Sequence, residues 1–141
     1  MVYKTLSKAD LPSLISTWQQ QAVVTAPVRS GEVIEFQPLD GAAGPQLYLE
    51  GRTRYPPKSL FAPQSEAMFH VRGVDFEPVY SETPRRVILG MRPCDARAVQ
   101  LLDGVFGSAE LSDPYWVQRR EQSTVVVLGC NHPGATCFCT T

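Results

Sequence analysis

At 141 residues with a formal net charge of −1, the chain is the size of one domain that can bury a core without metals or disulfides as staples, and it lacks the basic excess that nucleic acid or a membrane surface would select. Apolar (43%) and charged (19%) fractions are those of a globular domain rather than of a disordered or membrane-spanning chain. No stretch approaches the roughly 18 consecutive apolar residues of a membrane span, and Met1-Val2-Tyr3-Lys4-Thr5 is no apolar signal segment, so a cytoplasmic location is expected.

Ser7-Lys8-Ala9-Asp10 is a variant of the capping box, and Leu11, Leu14, Ile15 and Trp18 recur at helical spacing up to Gln19-Gln20-Gln21, predicting an amphipathic helix. Residues 22–28 and 32–36 read as two strands joined through Arg29-Ser30-Gly31, with Pro27 marking the first as an edge. Residues 38–45 are rich in turn formers, and 46–49 suggest one more short strand. Prolines 56, 57 and 63 forbid a long helix over 55–64, which becomes a rigid connector whose Leu60 and Phe61 cover the core. Lys58 on this connector is a candidate to face a ligand, against the blander expectation of a solvated lysine. Residues 68–71 and 76–80 flank Arg72-Gly73-Val74-Asp75 as a hairpin, in which His70 reads as a partly buried strand residue without chemistry.

From Pro84 the pattern becomes βαβ. A buried-type strand over 86–90 ends in Gly and leads to Met91-Arg92-Pro93-Cys94. A helix over 95–103 follows with Ala98, Leu101, Leu102 and Val105 on one face, which puts Cys94 at or beside its N-cap. Asp113-Pro114-Tyr115 caps a second helix running through Glu121, and a buried-type strand over 124–128 comes next. The expected fold is a single α/β domain over 1–141: a mixed sheet, an N-terminal α+β part (1–83) with a helix and short strands, and a C-terminal βαβ unit (84–141) whose two strands are parallel. The pattern leaves open whether the N-terminal strands join that sheet.

Each strand of the βαβ unit runs through Gly into a cysteine loop, the first holding Cys94, the second Cys130, Cys137 and Cys139. If the strands are parallel neighbours, both loops leave the sheet edge where open α/β folds place ligands, and the four thiols converge. In a reducing compartment four cysteines, three of them within ten residues, point to metal, cluster or redox chemistry rather than to a disulfide frame. Four thiolates suit Zn or an iron–sulfur cluster, and ligand softness does not separate the two. The anionic charge of a [4Fe–4S] core would be stabilised by cations, for which Arg92, Arg97, Arg119 and Arg120 are candidates, plain surface charge being the alternative. His132 could replace one thiol, although Pro133 beside it suggests a turn. The structural alternative is that Cys94 and Cys130 are small buried residues at strand ends. A dithiol enzyme using Cys137 and Cys139 is the weakest reading, because Cys-x-Cys offers a strained disulfide and no base adjoins it. With no GxGxxG, P-loop, Ser/His/Asp set or paired carboxylates, an independent catalytic site is not expected.

Lys58-Ser59-Leu60-Phe61-Ala62-Pro63-Gln64-Ser65-Glu66, Leu89-Gly90-Met91-Arg92-Pro93-Cys94-Asp95-Ala96-Arg97-Ala98, Asp113-Pro114-Tyr115 with Arg119-Arg120-Glu121, and Gly129-Cys130 with Cys137-Phe138-Cys139-Thr140 occur in a specific order. That order resembles the iron–sulfur β subunits of cytoplasmic nickel–iron sulfhydrogenases and the A subunit of anaerobic sulfite reductase. The resemblance covers residues 55–141 and is loose over 1–54. It implies an iron–sulfur electron-transfer component of a multi-subunit oxidoreductase, with catalysis on partner subunits and a ferredoxin-like segment following this region. The chain is therefore expected to be the N-terminal portion of a longer iron–sulfur protein. Metal ligands are expected at Cys94, Cys130, Cys137 and Cys139, with Arg92, Arg97 and Lys58 beside the cofactor. The cofactor is a cluster, [4Fe–4S], or alternatively Zn. A zinc-bound or metal-free docking module is the competing function.

Overall fold

A computed structural model describes residues 4–39, 47–80, 83–110, 112–131, 133–135 and 137. In chain order the elements are α1 (Leu11–Gln19), β1 (Val23–Ser30), β2 (Val33–Pro38), β3 (Phe69–Arg72), β4 (Asp75–Pro78), β5 (Arg86–Met91), α2 (Pro93–Phe106), α3 (Pro114–Glu121) and β6 (Ser123–Val127). Short 3₁₀ turns at Lys8–Asp10 and Pro57–Leu60 complete them. The main sheet has the order β2-β1-β5-β6, with β1 and β2 antiparallel and both β1–β5 and β5–β6 parallel. The N-terminal strands thus join the sheet of the βαβ unit. No helix among the described residues is long and apolar enough to cross a membrane.

Local chemistry accounts for most of these elements. Ser7 Oγ accepts from the Ala9 N–H at 3.3 Å, and the stripe of Leu11, Leu14, Ile15 and Trp18 becomes the half-buried face of α1. Gly31, at φ +62°, supplies the left-handed residue between β1 and β2. The connector ends on Phe61, fully buried in one cluster with Ile88, Met91, Val99 and Trp116. Burial of that kind contributes about 1.5–3 kcal/mol per large apolar side chain.

Several expectations are corrected. β1 is an interior strand despite Pro27: its paired register with β5 stops at Thr25↔Ile88, so the missing N–H of Pro27 falls beyond that ladder. The strand at 86–90 does not end in Gly but runs on to Met91, with a bulge between Leu89 and Met91 where Gly90 takes φ +87°. A Cβ on Gly90 would stand 3.1 Å from Pro27 Cδ and 3.0 Å from Leu49 Cδ2, so the bulge and the proline fit each other. β6 is an edge rather than a buried strand, and its Val127 is 46% exposed. Helix α2 runs from Pro93 to Phe106, turning Val99 into the core with Ala96 and Leu102 against it. Ala98, Leu101 and Val105 of the expected inner face are exposed. In place of a strand at 46–49 there is one bridge, Val28↔Leu47, among the described residues.

Strands β3 and β4 form a separate hairpin with Phe69↔Pro78 and Val71↔Phe76 on one face and His70↔Glu77 and Arg72↔Asp75 on the other. Both faces are solvent-exposed, including His70, which was expected to be partly buried. Tyr115 Oη donates to the Met68 carbonyl at 2.6 Å and its ring stacks on Tyr80, tying the hairpin's base to α3. Desolvation, then the neighbouring Tyr80, Glu66 and Asp113, raises the pKa of that phenol.

Candidate functional site

The bulged end of β5 and the end of β6 deliver two loops side by side. Leu128 N–H donates to the Met91 carbonyl at 2.9 Å, which extends the parallel contact beyond β6 itself. Arg92 is the N-cap of α2 and Pro93 its first residue, so Cys94 lies in the first helical turn. Cys130 follows Leu128 by two residues on the neighbouring loop, and the Cys137 N–H donates to the Gly134 carbonyl at 3.0 Å, closing a turn that brings the third thiol back.

Cys94, Cys130 and Cys137 line one cleft of about 620 Å³, together with Arg52, Arg54, Arg92, Glu50 and Asp95. All three thiols are free and exposed, which removes the reading of Cys94 and Cys130 as buried packing residues. Cys139 and His132 lie outside the described residues. Among the described residues no group of three His, Cys, Asp or Glu side chains is gathered round a single-ion site. Tetrahedral zinc needs each sulfur within about 2.3 Å of one centre. A cubane takes one thiolate at each iron, so its thiolates stand farther apart. Three thiols and the guanidiniums beside them are what either kind of centre would meet in this cleft.

The guanidiniums are positioned by backbone. Arg92 Nη2 donates to the Leu49 carbonyl at 2.9 Å and the Gly51 carbonyl at 2.7 Å, fastening the 49–51 segment over the cleft. Arg52 Nη2 donates to Cys137 Sγ at 3.0 Å. Asp95 has its carboxyl pushed up by desolvation, an effect the nearby Arg92 partly offsets. Three guanidiniums against two carboxylates leave these walls of the cleft net positive.

The other expected cations lie elsewhere. Arg97 is exposed on α2 and donates to Gln100 at 3.4 Å, whereas Lys58 is exposed and lines a separate cleft beside Glu35 and Phe36. Arg119 pairs with Glu66 and donates to the Phe61 carbonyl, and Arg120 pairs with Asp103. Sequence reasoning gave no role to 50–54, the segment that contributes Arg52 and Arg54. Its signal is faint, a polar stretch with no element period.

No family model matches the chain, and no solved structure matches it. Among curated proteins, sulfhydrogenase 2 subunit beta of Pyrococcus furiosus is 29% identical over 140 residues, which is 99% of this chain and 40% of the relative. The chain therefore spans two fifths of the length of that relative. The similarity reaches through residues 1–54, where the motifs alone match loosely.

Proposed function

We propose that this chain is an iron–sulfur electron-transfer domain of a multi-subunit oxidoreductase of the hydrogenase or sulfite/sulfur reductase type, and that catalysis resides on partner subunits. Cys94, Cys130 and Cys137 would ligate the cluster, with Cys139 as the fourth thiolate of a [4Fe–4S] centre. The observation that carries this reading is the meeting of three free thiols from two loops in one cleft walled by guanidiniums. Similarity to a sulfhydrogenase subunit supports it. A cluster held there supplies one-electron transfer. The protein's part is to hold thiolates, to place positive charge beside them through Arg52, Arg54 and Arg92, and to leave the site open on one side for a redox partner.

The test is the iron and acid-labile sulfide content of anaerobically prepared protein, read with the visible spectrum. Equal amounts of iron and sulfide and a broad band bleached by dithionite are expected. Colourless protein carrying stoichiometric zinc would establish instead the zinc-bound docking module. That second reading draws on one observation of its own, the hairpin face of Phe69, Val71 and Phe76, each more than half exposed (51%, 58% and 68%).

A further inference from the structure

The loop that carries the third thiol is shaped around an arginine from a distant part of the chain. Arg52 reaches across to Cys137 Sγ, with a contact of 3.0 Å between Nη2 and sulfur. The guanidinium passes directly over Gly134: a Cβ there would overlap Nη2 and stand 2.5 Å from Cζ. Among the described residues the glycines with positive φ are Gly31, Gly73 and Gly90, and Gly134 is not one of them. A left-handed backbone is thus not what places glycine here; a side chain at this position would have to displace the far end of Arg52. Arg52 and Gly134 stand 82 positions apart in the sequence, and only the fold brings them together.

The backbone that presents Arg52 is pinned on both sides. Upstream, the carbonyls of Leu49 and Gly51 accept from Arg92. Downstream, the Arg54 N–H donates to the Ile34 carbonyl of β2 at 2.7 Å. A side chain so anchored loses less freedom on making its contact than a solvated arginine would.

We propose that Arg52 is a positioning residue that would set the reduction potential of a cluster held in the cleft: it holds Cys137 in place and directs positive charge and an N–H donor at that sulfur. This rests on the cluster reading above. Adding an electron to a thiolate-bound cluster increases its negative charge, and a cationic N–H···S contact favours the more negative state. Arg52 therefore raises the potential. Glu50 and Asp95 in the same cleft act in the opposite sense, so the setting is a balance in which Arg52 is the cation in contact with sulfur.

The experiment uses the full chain, reconstituted anaerobically with iron and sulfide, and compares wild type with R52Q, R52K and G134A. Midpoint potentials are read by EPR-monitored titration, and iron content is measured in parallel. R52Q and G134A should retain iron but become harder to reduce, with the reduced-to-oxidised ratio at fixed poise falling about tenfold, equivalent to ~59 mV for a one-electron couple. R52K should fall between them and wild type, since lysine keeps the charge but loses the planar fork. G134A keeps the arginine and removes only its place, so a shift in that variant supports the geometric assignment. If R52Q fails to hold iron, R52K decides: retention supports the cation's role, and equal loss overturns it. Wild-type protein that takes up no cluster overturns the cluster reading and this one together. A wild-type cluster whose midpoint is the same in R52Q and G134A overturns the Arg52 assignment alone.

Discussion

Helices α2 and α3 begin alike, each with Pro at its first position, yet their N-termini are finished differently. At α3 the Asp113 carboxylate accepts from the Tyr115 and Trp116 N–H groups at 2.9 and 3.4 Å. At α2 the N-cap is Arg92, which makes no side-chain cap and instead fastens the 49–51 segment. The polar groups around α3 are closed on one another: Trp116 Nε1 donates to Asp103 Oδ1 at 3.0 Å, and Arg120 Nε donates to both Asp103 oxygens at 3.1 and 3.0 Å. The first turn of α2 opens instead on the cleft that holds the three thiols. One helix start serves stability, and the other leaves its donors and partial positive charge beside exposed thiols.

The largest effect that could break this contrast is at Trp116, 3% exposed between Phe61 and Phe106 with ring centroids at 5.8 and 5.4 Å. Trp116→Ala should destabilise by about 3–5 kcal/mol in denaturant unfolding, combining the lost packing with the lost indole hydrogen bond to Asp103. A loss below about 1 kcal/mol would mean that the α3 side is not the stabilising half. Next comes the cap itself. Asp113→Ala should cost about 1 kcal/mol by the same measurement, with the iron content of reconstituted protein unchanged. Iron loss in that variant would join the two helix ends that are separated here.

How much of this was legible in the sequence depends on whether a feature's cause was local. The Asp113-Pro114 start, the α1 stripe and the parallel pairing of the two β-branched runs all followed from neighbours in the chain. Pro27 misled because its tolerance depends on where pairing with β5 stops and on the space that Gly90 leaves, neither visible at position 27. The face of α2 misled for another reason. Both 96-99-102 and 98-101-105 keep helical spacing, and only the sheet's position selects the first; Leu101 and Val105 remain 59% and 58% exposed. The meeting of Cys94 with Cys130 was legible as topology, since neighbouring parallel strands release their loops on one edge. Arg52 was not, because a contact between residues 52 and 137 leaves no periodic mark in either segment.

The smallest stability effect is expected where the functional effect is greatest. Cys94 is exposed in the first turn of α2, contributes nothing to the apolar cluster and is replaced by serine with little change in size. Cys94→Ser should therefore stay within about 0.5 kcal/mol of wild type in the apo state. Serine offers no thiolate, so the same variant should lose most of the reconstituted iron and the band bleached by dithionite. The pairing of the two measurements separates a ligand from a packing residue, which either measurement alone would confuse. Unfolding shifted as far as in Trp116→Ala would make Cys94 structural, and wild-type iron content in Cys94→Ser would remove it from the ligand set and leave the loop after β6 to supply the site.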